Sequence, residues 1–168
     1  MSMLVARAQL NYVEDLVARF ARDDGQMQPI AVRQSQYVAI VAMLRSVGHV
    51  FDKMDCTDEA RRRWSAHQWK AWRREPIFAD FIEPNRNALL KEFRGGLELS
   101  NDAFGDVAVT IDPTVPGMVS LLASFDAAKA RDADGRLIMP LFHKAIEFWD
   151  GHLAEAESDV AFRGAIQH

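Results

Sequence analysis

Four groups of polar residues in this 168-residue chain have the types and spacing that chemistry uses. The first lies on the stretch 76–94. Wound as a helix, it brings Glu83, Asn87 and Lys91 onto one side at four-residue intervals, with Arg94 beside them and Arg86 at the margin. An acid, an amide and an amine in one row make a surface that faces water, a second subunit or a ligand. The second group is the window 61–74, which holds Arg61, Arg62, Arg63, Lys70, Arg73 and Arg74 with no acid among them, interleaved with Trp64, Trp69 and Trp72. Such a window can grip phosphates, Arg62 among the cations, while Trp69 stacks on a base. An amphipathic helix makes the same pattern without a ligand, with Trp64, Ala71 and Trp72 on the core and the cations in water, and that plainer reading is preferred.

The third group, His143, Glu147 and Asp150, stands at i, i+4 and i+7, close enough on one helix to share a divalent cation. Helical metal bundles draw paired ligands from several helices, and no Glu-x-x-His occurs in the chain, so a water-exposed edge and no metal is the expectation. The fourth, Arg45, His49 and Asp52, sits on a segment that is apolar on most sides. It is expected to be a buried polar cluster held by mutual hydrogen bonds, a structural network before a catalytic one.

Helices must position these groups. Leu4, Leu10, Val13, Val17 and Phe20 predict an amphipathic helix from about Ser2 to Asp23. A connector broken by Pro29 follows. Tyr37, Ile40, Val41, Leu44, Val47 and Phe51 then mark a central helix over about 32–53, in which Gly48 either permits a close approach by another backbone or simply weakens the helix. Thr57-Asp58-Glu59 resembles a helix start, and that helix reaches about Arg74. Over 76–94, Phe78, Ile82, Leu89 and Phe93 form a buried stripe with Phe81 beside them. Pro84 must kink or restart this helix, and Gly95-Gly96 ends it.

The period then changes. Asp106-Val-Ala-Val-Thr-Ile-Asp112 alternates as a strand does, and 119–125 either pairs with it as a hairpin or opens another helix. Residues 127–135, small and charged, read as a loop or frayed turn. A last helix starts near Leu137 to Pro140 and reaches about Ser158, carrying Ile138, Leu141, Phe142, Ala145, Ile146, Trp149 and Leu153, with a loosely attached tail after Asp159. The whole is a mainly α chain, a bundle of about five helices forming a single domain over 1–168, with an irregular insertion at 97–135 and a short β-hairpin within 105–125.

Composition narrows the function. Hydrophobic residues make up 49% of the chain, enough for a sizeable core. The formal charge of −4 is uneven, because residues 1–104 carry 15 basic and 14 acidic side chains and the remainder 5 and 10. A basic coat for nucleic acid is absent. The single cysteine, Cys56, excludes an internal disulfide and suits a reducing compartment, so the cytoplasm is the expected location. No apolar run spans a membrane and no secretory leader is visible. Neither a Gly-rich phosphate loop nor a Cys-x-x-Cys, Gly-x-Ser-x-Gly or His-Glu-x-x-His motif is present, and no cofactor is implied.

Phe81-Ile-Glu-Pro-Asn-Arg-Asn-Ala-Leu-Leu-Lys91 resembles the signature helix of HEPN-type helical bundles, in which an arginine and an asparagine are followed at a fixed distance by a histidine. The resemblance implies a bundle of four or five helices, a dimer, and RNA cleavage at the dimer cleft without metal. Arg86 and Asn87 match the signature, while Lys91 occupies the place of the histidine. An imidazole exchanges a proton near neutral pH, whereas a lysine begins about four pKa units higher. The resemblance therefore implies a non-cleaving or antitoxin-like relative. A looser arginine-to-histidine spacing recurs at Arg62 to His67, Arg136 to His143 and Arg163 to His168; of these, the pair on the basic helix adds His67 to Arg86 and Asn87 as catalytic candidates.

The resulting expectation is a non-enzymatic binding or assembly module acting as a homodimer, open to a protein partner. Contact is expected through the Glu83, Asn87, Lys91 face or the apolar helix 32–53, since a helix greasy on most sides needs covering surface. A metal-independent ribonuclease is the alternative.

Overall fold

The structure, a computed structural model, describes residues 3–22, 26–92, 94–98, 102–111, 114, 118–160 and 162. Phe93, Arg163 and His168 lie outside them. Five α-helices and one three-stranded antiparallel sheet follow in the order α1 (Val5–Ala21), β1 (Gln28–Pro29), α2 (Ile30–Val50), α3 (Glu59–Trp72), α4 (Glu83–Lys91), β2 (Phe104–Ile111), β3 (Val119–Phe125) and α5 (Ile138–Ser158). None of the described helices is long and apolar enough to cross a membrane.

α2 is the axis of the bundle. Tyr37, Ile40, Val41, Leu44 and Val47 are buried on it, and α1, α4, α5 and the sheet pack around it. The chain's own elements thus bury one row of α2, while Val38, Met43 and Val50 stay half-buried and Val32 exposed. Gly48 does permit a close approach, but by side chains instead of backbone. A Cβ there would stand 2.4 Å from Trp149 Cη2 and 2.7 Å from Trp69 Cη2. The two indoles stack at 6.2 Å directly against this gap. Phe51, Trp64, Trp72, Phe78 and Phe148 extend the aromatic layer.

Two π-helical turns, each with one residue more per hydrogen-bonded loop than an α-turn, interrupt the rods, and both have a cause. Phe51–Asp55 follows α2 and aims the buried carboxylate of Asp55 at the start of α1. There Val5 N–H donates to Oδ1 at 2.8 Å and Ala6 N–H to Oδ2 at 2.9 Å. Leu4, the residue in the cap position, offers no side-chain cap of its own. A carboxylate from 50 residues away therefore satisfies the orphan amides of α1.

Phe78–Ile82 is the second π turn, and it runs directly into α4. Pro84 has no N–H to give the carbonyl of Asp80, and its ring clashes with that carbonyl in a regular α-turn. Widening relieves the clash, and the freed Asp80 carbonyl accepts from Arg136 Nη1 at 3.0 Å. Residues 76–91 thus remain helical throughout, with Phe78, Phe81 and Ile82 buried and Leu89 half-buried. After α4 the chain turns at Gly95 and Gly96, with φ of 80° and 113°, a region closed to most side chains.

Two other details depart from expectation, and a third agrees with it. Gln28-Pro29, read as a connector, is a short strand on the sheet, with Gln28 opposite Ala123 and Pro29 opposite Leu122. Residues 127–135 are turns, organised by buried Asp132, which accepts from Arg136 Nε at 2.8 Å and from the Arg136 N–H at 2.9 Å. The described part of the tail is docked at Phe162, which is buried and stacked 5.4 Å from Phe51, its carbonyl accepting from Arg61 Nε at 3.1 Å.

Candidate functional site

Two polar stripes foreseen on separate helices meet in one groove. Arg45, Ser46 and His49 of α2 face Glu83, Arg86, Asn87, Leu90 and Lys91 of α4 across an open space of about 500 Å³. Both stripes have the i, i+4 spacing that puts residues on one helix side, and the two sides meet because α2 and α4 pack through the apolar rows beneath. This corrects the expectation for Arg45, His49 and Asp52. They are not a buried network: His49 is exposed, Arg45 and Asp52 are half-buried, and Asp52 pairs with Lys53 at 2.7 Å.

Arg45 is the hinge of the site. Its guanidinium lies 5.5 Å over the Trp69 ring and 5.4 Å over Phe78, and Nη2 stands 3.7 Å from Glu83 Oε1. Burial lowers its pKa from the ordinary value; Arg86 and Arg73 push the same way, and Glu83 opposes them. An arginine nonetheless stays protonated at any working pH, so what this records is chiefly the cost of holding a guanidinium away from water. On the far side of Arg45 and His49 a second trough of about 490 Å³ continues along α2, lined by Asp52, Lys53, Trp69, Lys70 and Arg73 among others. Among the described residues Lys70, Arg73, Arg86 and Lys91 have no carboxylate partner. Arg86 Nη1 donates to Asn87 Oδ1 at 3.1 Å. Asn85 is held beneath, donating to the Phe81 carbonyl at 3.0 Å and accepting from Tyr37 at 3.1 Å. Burial raises the Tyr37 pKa, so this hydroxyl stays a donor.

The other sequence candidates lie apart. Asp58 caps α3, accepting from Arg61 N–H at 2.9 Å. Arg62 turns back over that end, donating to the carbonyls of Cys56 and Thr57, while His67 is exposed further along. The helix is amphipathic as expected, with Trp72 buried and Trp64 half-buried, although Ala71 is exposed. Trp69 is a half-buried core residue, stacked on Trp149 with Arg45 over its ring, so little of it is free to receive a base. On α5, His143 and Glu147 are exposed and Asp150 is bonded to Arg7; no three His, Cys, Asp or Glu among the described residues stand close enough to hold a metal.

One surface was not foreseen as a site. Val107, Val109 and Ile111 of β2 and Val119 and Leu121 of β3 are between 49% and 69% exposed. The signal was present in the alternation of 106–112, but that pattern does not say which side of the strand the bundle covers. No family model, curated protein or solved structure matches the chain.

Proposed function

We propose that this chain is a non-enzymatic binding and assembly module that self-associates and holds an acidic segment of a protein partner along α2, in the groove against α4. The observation that carries this reading is the accumulation of cations there in a chain whose formal charge is −4. Arg45, Arg86, Lys91, Lys53, Lys70 and Arg73 line the two troughs against Glu83 and Asp52. The Asn87 amide adds a neutral donor and Leu90 an apolar contact, the mixture that a peptide of carboxylates and aliphatic residues matches. Among the described residues no nucleophile hydrogen-bonded to a base lines the groove, and Lys91 stands in the place where the HEPN-type signature has histidine.

A second reading is favoured by one position. His49 lines the same groove as Arg86 and Asn87, whereas His67 sits on another helix. An imidazole supplied from α2 in place of the missing one on α4 would make a metal-independent ribonuclease.

Fluorescence anisotropy separates the two. A labelled glutamate–leucine peptide is expected to bind, to weaken with salt, and to lose about tenfold or more in affinity with Arg45→Glu or Arg86→Glu. A single-stranded RNA oligonucleotide is expected to remain intact. RNA cleavage abolished by His49→Ala and by Arg86→Ala, with no peptide binding, replaces the first reading with the second.

A further inference from the structure

β2 and β3 form an arm whose root and outer part differ on the same face. At the root, Ala123 and Phe125 are buried, and Phe125 meets Phe20 edge-on at 5.2 Å and Phe104 at 5.1 Å, with the Arg33 guanidinium 4.9 Å over its ring. The register carries that face outward: Val107 lies opposite Ala123, Val109 opposite Leu121, and Ile111 opposite Val119. Side chains alternate along a strand, so these residues continue the core side of the arm past the point where the bundle ends. Thr110 opposite Ser120, and the half-buried Ala108 opposite Leu122, take the other face.

We propose that a second copy of this chain covers this face, the two arms packing apolar side to apolar side across a twofold axis. This rests on the reading of the chain as self-associating and names the surface. The patch carries no charged side chain, so a copy meets no like-charge repulsion, and a face that buries its own kind at the root is self-complementary further out. Its size also suits a copy. Five side chains at these exposures present roughly 450 Å² per chain, about 900 Å² for the pair, just under what a specific interface needs. The remainder is at hand. A groove of about 520 Å³ between Pro29 of β1 with the start of α2 (Ile30, Gln34) and Val119 to Leu121 adjoins the patch and offers a seat for the partner's outer residues.

Sedimentation velocity on the full chain tests this, using two substitutions one residue apart. Val109→Glu places a charge on the apolar face and Thr110→Glu on the opposite one. The wild type and Thr110→Glu are expected to be dimeric, and Val109→Glu monomeric with an unchanged far-UV circular dichroism spectrum, its dimer dissociation constant raised about tenfold or more. Val109→Cys gives an independent readout, because Cys56 is buried: mild oxidation should link two copies through position 109. A wild type that stays monomeric at high micromolar concentration overturns both the surface and self-association, and assigns the face to some other partner. A dimer that survives Val109→Glu, or that Thr110→Glu alone dissociates, overturns the surface and leaves self-association standing.

Discussion

The junction at Gly48 and the outer hairpin are both apolar, yet they are finished in opposite ways. At Gly48 two indoles press onto a backbone with no Cβ, and Trp149, Trp72 and Phe78 are fully enclosed. On the arm, Val109 and Ile111 are 66% and 69% exposed. The same hydrophobic material serves stability in the first place and association in the second. The groove between α2 and α4 lies between these extremes: its floor is packed core, and on its walls Arg86 and Lys91 have no carboxylate partner among the described residues.

Substitutions can break that contrast. Gly48→Leu forces a side chain into space held by Trp69 and Trp149, and the expected loss is about 3 kcal/mol, read by chemical denaturation. Asp55→Ala leaves the amides of Val5 and Ala6 unpaired near the core; about 2 kcal/mol should be lost, with amide exchange fastest in the first turn of α1. Val109→Glu should change the stability of the monomer by no more than about 0.5 kcal/mol, because its site is already in water. An unfolded Val109→Glu chain would mean that the arm belongs to the core after all. Least of all should change at Cys56, whose thiol burial pushes up to about 11, so it should resist alkylation at pH 8 until the chain is denatured.

Much of the fold was legible because helical periodicity survives in the sequence. The rows of α1, α2 and α5 announce themselves, Asp58 announces a cap, and the alternation at 106–112 announces a strand. What escaped was set between distant residues. The turn at Phe78–Ile82 needs Arg136 to take the carbonyl that Pro84 leaves over, and the cap on α1 comes from Asp55. Gln28-Pro29 reads as a break because a two-residue strand has no period to display. The candidate groove was half legible: each stripe could be seen, but only the packing of α2 on α4 sets Arg45 and His49 opposite Glu83 and Asn87. Trp69 taught the converse, since its type suggested a ligand platform and its position made it core.

The most direct test of the central claim is a calorimetric titration of the wild-type chain with the glutamate–leucine peptide at low and at high salt, repeated with Arg45→Glu. Saturable binding that weakens with salt and disappears with the charge reversal is the predicted result. Heats indistinguishable from dilution at low salt, or binding indifferent to Arg45, would contradict it.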